Sequence, residues 1–165
     1  AGVRMINLRM GMVLDWAGGS LGQMLFAFEY GLGGPFGNGK QEMSWITRDD
    51  LIRLISHCIA TPKLSGPVNA VTPAPVANRD FARALGRAFH RPTILAIPTL
   101  LLKALGGLGR EIFLADQHVR PAAALATGFT FDAPDIETAF TAMFPKRPSQ
   151  RPSHRAILLH RTRTS

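Results

Sequence analysis

The sequence predicts an α/β fold with parallel strand pairing. Short apolar stretches rich in β-branched residues alternate with longer stretches whose apolar residues recur at helical spacing. Glycine, proline and asparagine separate these stretches, as expected of turns between strands and helices. A strand that is followed by a helix and a second strand usually pairs in parallel with that strand. The chain of 165 residues is long enough for one domain of this class.

The positive charge of the chain is concentrated at its C-terminal end. Residues 1–145 contain 13 lysines and arginines against 11 acids, whereas residues 146–165 contain six basic residues and no acid. We therefore predict a folded α/β part over residues 1–145 and a basic tail over residues 146–165. The tail has too few apolar residues to form a core, so we expect it to be disordered.

The single cysteine, Cys58, lies on the apolar face of a predicted helix and is expected to pack as a small hydrophobe. One cysteine excludes an internal disulfide and is typical of a reducing compartment, so we predict a cytoplasmic protein. The most apolar run, residues 94–108, is shorter than the roughly 18 residues that span a bilayer, and we expect a buried helix there. The chain starts with alanine and enters a strand almost at once, which suggests a piece of a longer protein.

The first predicted elements are a strand over Val3–Leu14 and a helix. In the strand, apolar residues alternate and then become continuous. The helix is predicted from a capping box of Ser20 and Gln23. Its apolar residues recur at helical spacing: Leu21, Met24, Leu25 and Phe28.

A glycine-rich segment, residues 31–51, follows that helix. Asn38-Gly39 predicts a two-residue hairpin turn, because both central positions of such a turn require positive φ. Met43 to Ile46 is predicted to be a short buried strand. Thr47 is a helix N-cap, with Asp50 in the first turn near the positive end of the helix dipole. The helix carries five residues on one apolar face: Leu51, Ile52, Ile55, Cys58 and Ile59.

Strands and helices continue to alternate after residue 61. The predicted order is strand, helix, strand, helix, strand and helix: Val68–Val71, a helix with Asn78 as its N-cap, Thr93–Ile97, Pro98–Leu105, Gly128–Phe131 and a helix opened by Pro134. Proline suits the first position of a helix, since its missing N–H would have no partner there.

Most candidate sites in the sequence have simpler explanations. Residues 34–40, GPFGNGK, nearly fit a phosphate-binding loop, but Gln41 replaces the required hydroxyl residue and a strand follows, so we predict a turn. The five histidines lack metal-ligand spacing, and no serine lies in a GxSxG elbow. Asp49 and Asp50 are interpreted as partners of the helix dipole. We predict no metal site and no catalytic residue. Trp45 has two open interpretations: it lines a pocket with Gln41 and Ser44, or it belongs to the core.

Five strings resemble, in order, the YfcH/SulA-like epimerases of the extended short-chain dehydrogenase/reductases. They are LRMGMVL (8–14), GGSLGQML (18–25), GLGGPFGNGKQEMSWITRDDL (31–51), GPVNAVTPAPVANRDFARALGRAFHRP (66–92) and QHVRPAAALATGFTF (117–131). The last string is similar to the family's C-terminal domain of unknown function. The resemblance implies the C-terminal half of an extended short-chain dehydrogenase/reductase Rossmann fold, with its last sheet strands and a small α/β substrate-binding domain.

The resemblance also implies NADP or NAD as the cofactor of the parent family, with an incomplete site here. The sequence has no GxxGxxG fingerprint between its first predicted strand and first predicted helix, and it lacks the family's Tyr-x-x-x-Lys pair because Gly34 stands four residues after Tyr30. By their match to the family, three residues are implied on the nicotinamide side of the cofactor: Arg9, Met10 and Gly11. Four residues are implied on the substrate side: Gln41, Met43, Ser44 and Trp45.

One departure from the wider superfamily bears on the substrate. Nucleotide-sugar epimerases carry an arginine where Met43 stands, and a histidine where Thr47 stands. Methionine makes no charge-assisted bond to phosphate, so a nucleotide-sugar substrate is disfavoured. The substrate is expected to be a small molecule of unidentified class.

These observations lead to one principal hypothesis and two alternatives. The chain is predicted to be the C-terminal fragment of an NAD(P)-dependent, nucleoside-diphosphate-sugar-epimerase-like oxidoreductase, inactive by itself. The alternatives are a non-catalytic interaction module related to cell division, and nucleic-acid binding by the tail. The tail has no aromatic residue to stack on bases, which disfavours nucleic acid. An unpaired sheet edge at Val3–Leu14 predicts self-association or pairing with an N-terminal half.

Overall fold

Parallel strand pairs form the centre of the fold in the computed structural model, which describes residues 2–93 and 119–145. The strands are β1 (Ile6–Met10), β2 (Met12–Leu14), β3 (Glu42–Met43), β4 (Trp45–Thr47), β5 (Gly66–Ala70) and β6 (Val76–Ala77). β1 pairs in parallel with β5, and β2 pairs in parallel with β4. β3 and β6 form an antiparallel pair. The parallel pairs confirm the predicted α/β class.

Helices cover these strands in the expected alternation. They are α1 (Gly19–Glu29), α2 (Arg48–Ala60), α3 (Asn78–Phe89), α4 (Ala122–Ala126) and α5 (Ile136–Met143). The predicted capping box is wrong, because α1 already begins at Gly19 and its N-cap residue is Gly18. Thr47 caps α2 as predicted, since its Oγ1 accepts a hydrogen bond from the Asp50 backbone N–H at 3.2 Å.

The predicted strand over Val3–Leu14 is two strands that meet at Gly11. A Cβ at Gly11 would lie 2.5 Å from the carbonyl oxygen of Ser44, closer than real Cβ atoms approach such an atom. Glycine therefore lets the chain pass directly against β4. At this point the chain changes its parallel partner from β5 to β4.

Two apolar clusters make up the core of the described residues. The first packs α1, α3 and α5 around β2 and Trp45, and its largest fully buried side chains are Trp45, Phe28, Phe81, Phe140, Leu14, Leu21 and Leu85. The second packs α2 and α4 against β1 and β5, and its buried members include Ile46, Leu54, Cys58, Val68, Ala70, Ala124 and Phe129. Cys58 packs as the predicted small hydrophobe, with 3% of its surface exposed.

The apolar face of α2 is wider than the sheet beneath it. Leu54 and Cys58 are buried, but Ile52, Ile55 and Ile59 are 55%, 38% and 71% exposed. The predicted helix is confirmed, but only part of its apolar face is buried. The sheet is too narrow to cover that face, because β1 pairs only with β5 among the described residues.

The hairpin predicted at Asn38-Gly39 is also wrong. The turn lies one residue earlier, because Gly39 N–H donates to the Phe36 carbonyl at 3.0 Å and Gly37 has a φ of 57°. Asn38 does not take positive φ; its side chain instead accepts a hydrogen bond from Lys40 N–H at 3.0 Å. The strand that follows, β3, pairs with β6 rather than with a strand before the turn.

Two further predictions are wrong: the strand at residues 128–131 and the N-cap at Asn78. Residues 128–131 form no strand, since α2 holds this segment: the guanidinium of Arg53 donates to the Thr130 carbonyl at 3.0 Å. Asn78 is the first residue of α3 and not its N-cap, which is Ala77. The buried Asn78 side chain accepts from Phe36 N–H at 2.7 Å and donates to the Met43 sulfur at 3.3 Å.

Three predicted segments lie outside the described residues, wholly or after their first residue. They are the strand at Thr93–Ile97, the helix at Pro98–Leu105 and the basic tail over residues 146–165. Within the two described ranges, no helix combines the length and the apolar character that a bilayer crossing requires.

Candidate functional site

A cavity of about 390 Å³ opens at the carboxyl ends of β1 and β5. Eight residues line it: Arg9, Met10, Gly11, Ser44, Asn69, Val71, Val119 and Arg120. Ligands of open α/β sheets bind at this edge, because loops that leave parallel strands meet there. The position of the cavity is therefore that of a ligand site in a doubly wound fold.

Side chains from two strand ends hold one wall of this cavity in place. The Ser44 hydroxyl accepts a hydrogen bond from the Val119 backbone N–H at 3.1 Å. The Asn69 side-chain amide donates to the Arg120 carbonyl at 3.0 Å. Residues 119 and 120 belong to the C-terminal segment, so these bonds join distant parts of the sequence around the cavity.

The structure brings four of the seven site residues implied by the sequence to this cavity. Arg9 and Met10 are the last residues of β1, Gly11 follows them, and Ser44 lies between β3 and β4. The Met10 side chain is 63% exposed and offers an apolar surface. Residues from the implied cofactor side and the implied substrate side thus share one cavity.

The other three residues do not line the cavity. Gln41 donates from its side-chain amide to the Phe36 carbonyl at 3.1 Å and so supports the glycine-rich turn. Met43 and Trp45 are 3% and 0% exposed, and both belong to the core cluster around β2. The indole N–H of Trp45 has no hydrogen-bond partner among the described residues.

The side chains around the cavity can bind a ligand but offer no acid or base for neutral pH. Arginine, serine and asparagine provide hydrogen bonds, and methionine and valine provide apolar contact. None of the eight lining residues is a histidine, cysteine, lysine, aspartate or glutamate. Within residues 2–93 and 119–145, no group of three histidine, cysteine or acidic residues is arranged to hold a metal ion.

The one cysteine lies away from this cavity. Burial raises the pKa of the Cys58 thiol, and the nearby Arg4 guanidinium opposes this effect. Its sulfhydryl is therefore protonated at neutral pH and inert as a nucleophile.

Four lining residues were missed by sequence reasoning: Asn69, Val71, Val119 and Arg120. A signal for Asn69 was present, because it is a polar residue near the carboxyl end of a buried parallel strand, where ligands bind. No local pattern marks Val119 or Arg120, since their contacts with Ser44 and Asn69 cross 75 and 51 residues of sequence.

Known proteins show the same fold and related sequences. Residues 97–143 match a domain of unknown function, DUF1731. Epimerase family protein Mb2239 of Mycobacterium bovis is 44% identical over 132 residues, which are 79% of this chain and 44% of that protein. The crystal structure of human epimerase family protein SDR39U1 with NADPH superposes with a TM-score of 0.81 at 33% identity, and covers 87% of this chain and 49% of the human one.

A nucleoside-diphosphate sugar epimerase from Corynebacterium glutamicum also superposes, with a TM-score of 0.67 at 29% identity over 94% of this chain and 30% of that one. The chain spans about half the length of the curated relatives it matches. The chain therefore has the sequence and fold of the epimerase family proteins of the short-chain dehydrogenase/reductases over about half of their length, with part of the Rossmann fold and the match to DUF1731.

Proposed function

We propose that this chain is the C-terminal portion of an NAD(P)-dependent, epimerase-like oxidoreductase and is inactive by itself. The observation that carries the proposal is the cavity shared by Arg9, Met10, Gly11 and Ser44 at the carboxyl ends of parallel strands. A hydride-transfer site also needs a phosphate-binding loop and a proton donor. The one GxxGxxG string of the sequence, residues 31–37, lies between α1 and β3 and not between a strand and a helix, and the sequence has no Tyr-x-x-x-Lys pair.

NADP or NAD is the proposed cofactor, and it would supply the hydride acceptor or donor. The human relative was crystallised with NADPH, which supports this assignment. The residues of this chain fit only the nicotinamide end, since Arg9, Met10 and Gly11 lie at the carboxyl end of β1, a parallel strand. The exposed Met10 side chain offers apolar contact to the nicotinamide end of the cofactor. The backbone at Gly11 is fixed by its close approach to Ser44.

Ser44 carries the substrate side of the proposed site. Its hydroxyl accepts a hydrogen bond from the backbone N–H of Val119, which connects the C-terminal segment of the site to the strand ends. The other implied substrate-side residues support Ser44 indirectly. Gln41 stabilises the glycine-rich turn, and Met43 and Trp45, the neighbours of Ser44 in sequence, pack in the core. Because Met43 is buried and uncharged, it cannot serve a substrate diphosphate, and we propose a substrate other than a nucleotide sugar.

A Rossmann N-terminal half is the proposed partner of the exposed side of α2. Asp50, Arg53 and His57 of α2 face residues 127–133, which pack beside β5. At 100° per residue, the exposed isoleucines lie on the opposite side of the helix, toward β1. A partner that adds strands to β1 and a helix above them would cover this stripe, defined as Ile52, Ile55 and Ile59.

Co-expression tests this proposal. The N-terminal half of the Mycobacterium bovis relative, carrying an affinity tag, is produced with and without this chain. Both are expressed in the cytoplasm of the host cell, which is the compartment we propose for the protein. We expect the two halves to co-purify and the complex to bind NADPH in a fluorescence titration. Halves that both fold but never co-purify would contradict the partner assignment. A complex that forms without binding NADPH would instead support an interaction module without catalysis.

A further inference from the structure

The cavity at the ends of β1 and β5 carries unbalanced positive charge. Arg9 and Arg120 line it, and none of its eight lining residues is acidic. Five of the other described arginines, at positions 48, 53, 79, 83 and 87, each form an ion pair with an acid. The Arg4 guanidinium donates to backbone carbonyls instead. Within residues 2–93 and 119–145, neither Arg9 nor Arg120 forms such a pair. Two arginines thus line one small cavity whose eight lining residues include no carboxylate.

The backbone brings these two arginines to one point. Arg9 of β1 is the register partner of Asn69 of β5, so both side chains leave the same face of the sheet. The Asn69 side chain holds the Arg120 carbonyl at 3.0 Å, and Ser44 holds the preceding backbone N–H at 3.1 Å. Asn69 therefore lies beside Arg9 in the sheet and holds the backbone of Arg120, so the position of the Arg120 backbone is fixed before any ligand arrives.

We propose that this cavity binds the anionic group of the substrate, a carboxylate or a phosphate, between Arg9 and Arg120. A guanidinium donates two parallel N–H bonds to either group, and a bound anion removes the repulsion between the two cations. A cavity of about 390 Å³ suits a small metabolite. Met10 and Val71 give the rest of such a molecule an apolar wall. That the anion belongs to the substrate rests on the proposed function. Binding of the anion itself does not need the second half of the protein.

Nuclear magnetic resonance on the 15N-labelled chain tests the site with simple probes. Sodium phosphate, sodium acetate and sodium chloride are titrated at constant ionic strength while the Nε–Hε signals of the arginines are followed. We expect saturable shifts with phosphate or acetate and none with chloride. The stronger of the two probes distinguishes a phosphate-bearing from a carboxylate-bearing substrate.

Three single variants give the control. Arg9→Gln and Arg120→Gln should each weaken probe binding by about tenfold or more, because each removes one bidentate partner. Arg79→Gln removes an exposed arginine of α3 that already pairs with Asp80, and should change nothing. Equal binding in all four proteins, or equal shifts with chloride, would overturn the anion site. Loss of co-purification with the N-terminal half would leave these titrations unchanged, so the two proposals fail separately.

Discussion

Asp50 shows how a side chain can serve the fold in a way that its neighbours in sequence do not reveal. Its carboxylate is fully buried and accepts hydrogen bonds from the backbone N–H groups of Asp132 and Ala133, each at 3.0 Å. Arg53 balances its charge at 2.7 Å. The sequence predicted only a partner of the helix dipole. The longer-range role was invisible, because the two amide donors come 82 and 83 residues later in the chain.

Replacing Asp50 should therefore destabilise the protein strongly. Asp50→Ala leaves two backbone N–H groups without their acceptor and removes one of the two carboxylates that pair with Arg53, which costs about 3 kcal/mol of unfolding free energy. Asp49→Ala is the matched control, since the neighbouring Asp49 side chain is 81% exposed, and its effect should stay within about 0.5 kcal/mol. Urea unfolding measures both. Equal losses in the two variants would show that the contacts of Asp50 with residues 132 and 133 contribute nothing.

Asp135 links stability to pH. The Thr138 backbone N–H and then its hydroxyl donate to this N-cap carboxylate of α5 and lower its pKa. A carboxyl with a lowered folded pKa stabilises the protein above its unfolded pKa of about 3.9, and this contribution is lost as the pH falls through the folded pKa. Asp135→Asn keeps a capping side chain that does not titrate. Between pH 5 and pH 3, the wild type should lose more stability than this variant. Parallel pH profiles would contradict the assignment.

At the scale of elements, α2 separates what periodicity predicts from what it cannot. Its spacing and its Thr47 cap are local properties, and both were predictable. How much of its apolar face is covered depends on the width of the sheet, which no local pattern contains. The same limit applies to the missing strand at residues 128–131, where Arg53 of α2 donates to the Thr130 carbonyl and Asp50 accepts from the Asp132 N–H that follows. It also explains Asn78, whose side chain holds the glycine-rich turn instead of capping α3.

The exposed stripe on α2 leads to a prediction for assembly. Ile52→Lys and Ile59→Lys should each reduce co-purification with the N-terminal half, because a buried lysine without a partner is strongly disfavoured in an apolar interface. Both isoleucines are more than half exposed, so the isolated chain should keep its melting temperature. Leu125→Lys on α4 is the control, since Leu125 is 48% exposed and lies on the β5 side of the fold. Undiminished co-purification of both α2 variants would exclude the stripe from the interface.

At the scale of the whole molecule, the two apolar clusters meet at the strands that end in the cavity. β1 and β5 belong to the cluster of α2 and α4, whereas β2 and Trp45 belong to the cluster of α1, α3 and α5. Gly11 connects β1 of one cluster to β2 of the other, and the backbone of Ser44 packs against it. The fold class and the family were predictable because alternating elements and several ordered strings extend over most of the chain. The cavity was predictable only in part, since Asn69 and Arg120 reach it through tertiary contacts.

The central claim is that this chain supplies one side of a cofactor site and not the whole site. Isothermal titration calorimetry of NADPH into the purified chain, and into its complex with the N-terminal half, tests that claim most directly. We expect no measurable heat of binding for the chain alone at micromolar concentrations and clear binding by the complex, because we propose that the other half supplies the phosphate-binding loop. Micromolar affinity of the chain alone for NADPH would contradict it.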